Sequence, residues 1–263
     1  MIETAAQARE KVISLGDPLR AVGAQRFFKT APGEYGEGDL FVGVSVPKLR
    51  KVASECRALS VTDSVRLLHD PVHEIRFVAL LLMILKFQEG DAAQQARIYT
   101  LYLKNTRFVN NWDLVDVSAE HIVGAYLRER DKAPLETLAH SQLLWERRIA
   151  IVSTFHMIRH RAYSDTLRVA EWLLADTEDL IHKAVGWMLR EVGKRDPHVL
   201  ETFLQVHAVQ MPRTMLRYAI ERFPEPLRLR YLKGGRTCRP SEVPQQPCAY
   251  GVTKVRSARS RAR

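Results

Sequence analysis

Five segments of this chain repeat one another at nearly constant spacing, and that limits the possible folds more than any other feature. They are HEIRFVALLL from His73, NWDLVDVSAE from Asn111, WERRIAIVST from Trp145, IHKAVGWMLR from Ile181 and RTMLRYAIER from Arg213. Each has a polar or aromatic residue in its first two positions, brings in a basic residue or its equivalent, then sets a small residue into an apolar run. Anchored on Ala79, Val117, Ala150, Gly186 and Ala219, the copies stand 38, 33, 36 and 33 residues apart. A period of about 35 residues holds one helix pair, and such units stack because none can bury its apolar face alone. Within the segments apolar residues recur three and four apart, as in Leu80, Leu81, Ile84 and Leu85, and no stretch alternates as a strand would. Prolines at positions 18, 47, 71, 197 and 212 sit where helices should start or stop. The expected fold is therefore all-α: an α-solenoid of HEAT-like helix-pair repeats with a concave basic groove. Residues 1–233 form the repeat domain, and residues 234–263 form a basic tail expected to be disordered.

Composition narrows the setting. The chain has 263 residues and a formal charge of +10. From Gly234 onward seven basic residues face one acidic residue, so +6 belongs to the tail and +4 to the body. The tail reads as a solvated, non-specific anchor, and the body charge alone does not prove a polyanion partner. The longest apolar run, Phe77 to Leu85, is too short to span a membrane. The opening MIETAAQAREK has no apolar signal core. Cys56, Cys238 and Cys248 show no metal spacing. A reduced, cytoplasmic setting is the expectation. The segment from Ala31 to Asp39, APGEYGEGD, reads as a polar surface loop, since no Gly-Lys-Ser/Thr follows to make a phosphate loop.

Three constellations could carry chemistry. Lys183, Trp187, Arg190 and Lys194 lie four, three and four apart and share one helix face, with Ala184, Val185, Met188, Leu189 and Val192 on the other. An aromatic ring among cations suits a phosphate backbone with a base or sugar beside it. A solvated basic face with Trp187 covering a neighbouring repeat fits the spacing equally well. In NNWDLVD, Asn110 or Asn111 can cap a helix and Asp113 suits its first turn. Asp116 lies deeper, one turn beyond Trp112. It either faces the groove or pairs with a cation in the next repeat. In WERRIAI, Arg147 and Arg148 open an apolar helix, and either pair with acids such as Glu146 or contact phosphate or base. His156 and His160 stand four apart with no third ligand, so they read as ordinary histidines rather than a zinc site. Trp172 reads as packing.

The motifs NNWDLVD, LWERRIAI, HKAVGWMLREVGKRDP and MPRTMLRYAIE, in that order, resemble the AlkD-like DNA alkylation-repair family. The resemblance runs from about Ala24 to Leu232 and includes QRFFK from Gln25 and FVGVSVPKLRK from Phe41. It implies that Trp112 and Trp187 are groove tryptophans and Asp116 the catalytic aspartate. It likewise makes Arg148 and Arg190 groove arginines and Lys194 a groove lysine. Lys183 and Arg147 join the DNA-binding set from their place beside these residues. Two departures are visible: Phe27 stands where the family often has tyrosine, and the 31–39 loop is longer than in its plainest members.

The function implied is a DNA glycosylase that removes cationic N3- or N7-alkylated purines from double-stranded DNA, acting as a monomer with no metal, cofactor or membrane. One rival is a non-catalytic HEAT-repeat protein that binds distorted or branched DNA. Another is a HEAT-type scaffold for a protein partner. Salt separates them, because DNA affinity falls steeply with salt and a mainly apolar interface responds less.

Overall fold

The computed structural model describes residues 2–234, and the tail expected to be disordered lies outside them apart from Gly234. The described residues form α1 (Ala5–Ser14), α2 (Pro18–Phe27), α3 (Val46–Glu55), α4 (Val61–Leu68), α5 (His73–Glu89) and α6 (Ala92–Lys104). A 3-10 turn, Thr106–Phe108, leads into α7 (Trp112–Ala119), which runs through a π-helical turn, Glu120–Gly124, into α8 (Ala125–Leu127). Then come α9 (Ala133–Ala139), α10 (Leu144–Ser153), α11 (Phe155–Arg159), α12 (Ser164–Trp172) and α13 (Asp179–Arg195). The last are α14 (Pro197–His207), α15 (Arg213–Ala219) and α16 (Glu225–Gly234). No strand occurs among the described residues; the sole β feature is a bridge between Leu40 and Val72.

The helix ends follow from local chemistry. Side chains of Thr4, Asp17, Ser60, Asp91, Asn111 and Asp196 accept first-turn N–H groups that have no partner inside their helices. Pro18, Pro47 and Pro197 occupy the first turns of α2, α3 and α14, where a missing N–H costs nothing. Pro71 falls between α4 and α5, and Pro212 caps α15.

The five repeated segments become α5, α7, α10, α13 and α15. These helices pack in chain order, each against the next. Other helices flank the row: α3, α4 and α6 on α5, α9 and α12 on α10, and α12 and α14 on α13. The small residues of the repeat explain the close approach. Ala79, Ala150, Gly186 and Ala219 are all buried. A Cβ on Gly186 would stand 2.5 Å from the Met215 carbonyl oxygen and 2.5 Å from Tyr218 Cβ, so α13 and α15 meet on a glycine. Val117 departs from the pattern. It is half-buried, and α7 turns Leu114, Val115, Ser118 and Ala119 inward instead. The phase differs because Trp112, Asp113 and Asp116 take the same outward arc as Val117. The longest apolar segment is almost wholly interior, with Phe77 through Ile84 buried in α5 and Leu85 half-buried. No described helix is long and apolar enough to cross a membrane.

Candidate nucleic-acid interface

Asn111 starts the site by capping α7, its side-chain oxygen accepting the Trp112 N–H at 2.9 Å. Trp112 then lies half-buried against α2, stacked on Phe28 with ring centres 5.3 Å apart and edge-on to Phe27 at 5.8 Å. One turn later comes Asp116. The sequence left open whether it faces solvent or pairs with the next repeat, and it does both. Arg148 of α10 grips it with two parallel bonds, Nε to Oδ1 at 2.9 Å and Nη2 to Oδ2 at 2.8 Å. The third arm of that guanidinium donates to the Leu180 carbonyl at 2.7 Å, just ahead of Ile181 in α13. About a fifth of the Asp116 side chain stays accessible (21%). Burial pushes its carboxyl pKa up, with Arg148 working against the rise and Asp113 adding to it. Each carboxylate oxygen keeps a second lone pair. Asp116 also borders a cleft of about 420 Å³, lined further by His121, Arg50, Arg57, Leu81 and Gln88, among others.

On α13, Lys183, Trp187 and Arg190 are half-buried and Lys194 is exposed, while Ala184, Val185, Met188, Leu189 and Val192 are buried. The basic stripe therefore shares one face. Its cations are not free, however. Lys183 meets Asp179 at 2.7 Å, Lys194 meets Glu191 at 2.6 Å, and Arg190 pairs with Glu221 of the segment after α15. Trp187 packs at 5.9 Å from Phe155. Arg147 is drawn inward: its Nε bonds Asp176 at 2.6 Å and its Nη1 donates to the Ser141 and Gln142 carbonyls. Glu146 was the acid expected beside these arginines. It accepts from Thr106 and Ser141 instead. Thus α7, α10 and α13, three successive helices of the row, carry Trp112 and Asp116, then Arg148, then Trp187.

Sequence reasoning missed the support beneath this site. The 31–39 loop read as surface, yet Asp39 at its end is buried. Its carboxylate takes Arg76 Nη2 at 2.6 Å, Asn110 Nδ2 at 3.0 Å and His73 Nδ1 at 3.0 Å. The other ring nitrogen, His73 Nε2, meets Asp113 at 2.9 Å. Burial alone would lower the His73 pKa, but Asp113 and Asp39 hold it above its ordinary value. Burial alone would raise that of Asp39, but His73, Arg76 and Asn110 hold it below. Neighbouring Glu74 accepts the backbone N–H groups of Val42, Gly43 and Val44. A legible signal existed. His, Glu and Arg at the head of the most apolar helix must be buried, and buried charges need partners. Tyr35 was missed as well. It leaves the same loop to meet Trp145 edge-on at 5.9 Å. Among the described residues no group of three or more His, Cys, Asp and Glu side chains is placed to hold a metal ion. His156 is kept neutral, burial pushing its pKa down to about 4.

Fold and site together define an all-helical protein that carries aromatic, acidic and basic side chains on successive packed helices. A family model described as DNA alkylation repair enzyme matches residues 8–223. The chain belongs to the DNA alkylation repair enzyme family. Among solved structures it is similar to a predicted DNA alkylation repair enzyme from Enterococcus faecalis, with 16% identity and a TM-score of 0.62 over 80% of this chain and 97% of that one. It is also similar to smu.31 from Streptococcus mutans UA159, with 17% identity and a TM-score of 0.48 over 82% and 94% of the two chains. No curated protein matches the chain.

Proposed function

We propose that this protein is a DNA glycosylase that excises cationic N3- or N7-alkylated purines from duplex DNA, and that its stacked helix pairs form a HEAT-like solenoid with a basic groove. The observation that carries the reading is Asp116: a partly exposed carboxylate, fixed by Arg148, one turn from Trp112 and bordering a cleft. Most glycosidases need a second carboxyl to protonate the leaving group. A purine alkylated at N3 or N7 is already a cation and leaves without that proton. The remaining cost is positive charge growing on the sugar. An ionised Asp116 offsets it, acting in a partly dry site where a fixed charge counts for more than in water. Its unused lone pairs orient the attacking water, and Arg148 holds the carboxylate in one orientation. Trp112 and Trp187 offer aromatic faces to the sugar and the cationic base. Lys183 and Arg190 exchange their exposed acid partners, Asp179 and Glu221, for backbone phosphates, a small loss because exposed ion pairs contribute little, and Lys194 turns to phosphate while Arg195 keeps the buried Glu191 paired. Arg147, held by Asp176 and two carbonyls, serves as scaffold for α10.

A second reading takes the Asp116–Arg148 pair as a clasp between α7 and α10 in a non-catalytic protein that binds distorted or branched DNA. Substrate choice distinguishes the two. The glycosylase releases free alkylpurine from duplex carrying N7-methylguanine or N3-methyladenine and leaves uracil, a neutral base, in place. Equal release of uracil contradicts the charge argument. Salt-sensitive DNA binding with no base release favours the clasp.

A further inference from the structure

The 31–39 loop folds inward and places Tyr35 against the helix row. Gly36 lies flat behind it: a Cβ there would stand 2.4 Å from the Phe28 carbonyl oxygen and 3.2 Å from Asn111 Nδ2. Asp39 fastens the far end through His73, Arg76 and Asn110. Glu34 and Glu37 accept the Ala31 and Gly33 N–H groups and close the loop on itself. Held this way, the Tyr35 hydroxyl stands 3.5 Å from the Phe27 carbonyl, a long contact that leaves its O–H free to turn. Burial raises the phenol pKa, while the Trp112 indole and the Lys183 ammonium act against the rise. Lys29 Nζ stands 5.9 Å from the ring centre.

Lys29 is the more telling residue. It follows the end of α2 with φ at +53°, in the left-handed region where glycine is the usual occupant. It is exposed and enters no ion pair among the described residues. A strained backbone thus carries an unpaired cation over a phenol.

We propose that Lys29 and Tyr35 form a clamp for one backbone phosphate of duplex DNA, the phenol donating a hydrogen bond beside the Lys29 ammonium. The clamp rests on duplex DNA being the substrate class and adds a contact from the N-terminal loop to those of α13. Tyr35 is a binding residue here and takes no part in bond cleavage.

The test is the affinity of the full chain for a short undamaged duplex across a salt series, by fluorescence anisotropy. For Lys29→Gly we expect weaker binding and a slope of log Kd against log salt lower by about 0.9, the loss of one phosphate contact. Its Tm stays level or rises, since glycine suits the left-handed position. Tyr35→Phe keeps the ring against Trp145, raises Kd several-fold and leaves the slope unchanged. Lys104→Ala, on the flanking helix α6, binds like the wild type. If Lys29→Gly and Tyr35→Phe also bind like the wild type, the clamp is overturned, whether or not alkylated base is released. If they weaken binding as stated while the wild type releases no base, the clamp stands and the glycosylase reading fails. A wild type with no salt-dependent duplex binding overturns both.

Discussion

Asp116 combines two demands that work against each other. To oppose charge on a sugar it must be ionised in a partly dry site, yet burial favours its neutral form. Arg148 resolves this by bonding both oxygens. The rate of base release should therefore fall with acid on a limb lying above 3.8, the ordinary aspartate value, because protonation removes the stabilising charge. A pH–rate profile under single turnover checks this, and a profile flat down to the ordinary value contradicts it. Arg148→Ala strands the carboxylate and should cost about 3 kcal/mol of stability along with most of the activity, as denaturant melts and base release would show. The aspartate and both tryptophans were legible as candidates because spacing sets Trp112 and Asp116 one turn apart and Trp187 within a basic stripe. Their partners were not. Arg148 lies 32 residues from Asp116, and only a fold brings them together. Glu146, the acid nearest in sequence, turned out to serve Thr106 and Ser141.

At the level of elements, two devices set where the site residues stand. The first is the glycine contact between α13 and α15. Gly186→Ala pushes a methyl group into the Met215 carbonyl and Tyr218, and should destabilise the protein by about 2 kcal/mol. A melt that does not move would mean the two helices slide apart without strain. The second is the buried bridge joining the loop, α5 and α7. Once protonated, His73 joins Arg76 in balancing Asp39 and Asp113 charge for charge. Because the folded His73 pKa is raised, the stability it contributes is complete below 6.5, its ordinary value, and is lost as pH rises through the folded value. His73→Gln should cost about 3 kcal/mol in mild acid and progressively less as pH rises, measured by melts across that range. A cost independent of pH would show that His73 acts in its neutral form. The helices themselves were legible, since their caps and apolar periods are local. The bridge was not, because the loop composition, rich in Gly and Glu, looks the same whether its last aspartate is buried or solvated.

For the whole molecule, the repeat foretold which helices meet. Four of five anchor residues are buried and the five repeated helices pack in order, each reporting on its neighbour 33 to 38 residues away. Val117 slipped because Trp112, Asp113 and Asp116 claim the outward arc of α7. Charge acts at the same scale. Residues 235–263 hold seven basic residues and one acidic. Removing them should weaken binding to undamaged duplex and flatten its salt dependence, while single-turnover base release at saturating protein stays level. A drop in that rate would place the tail in the chemistry itself. The role of Asp116 is tested by comparing base release from duplex carrying N7-methylguanine by the wild type and by Asp116→Asn, under single turnover. We expect release by the wild type and a loss of about 10²–10³-fold in the variant, the usual effect of removing one electrostatic stabiliser. Equal rates for the two proteins would contradict it.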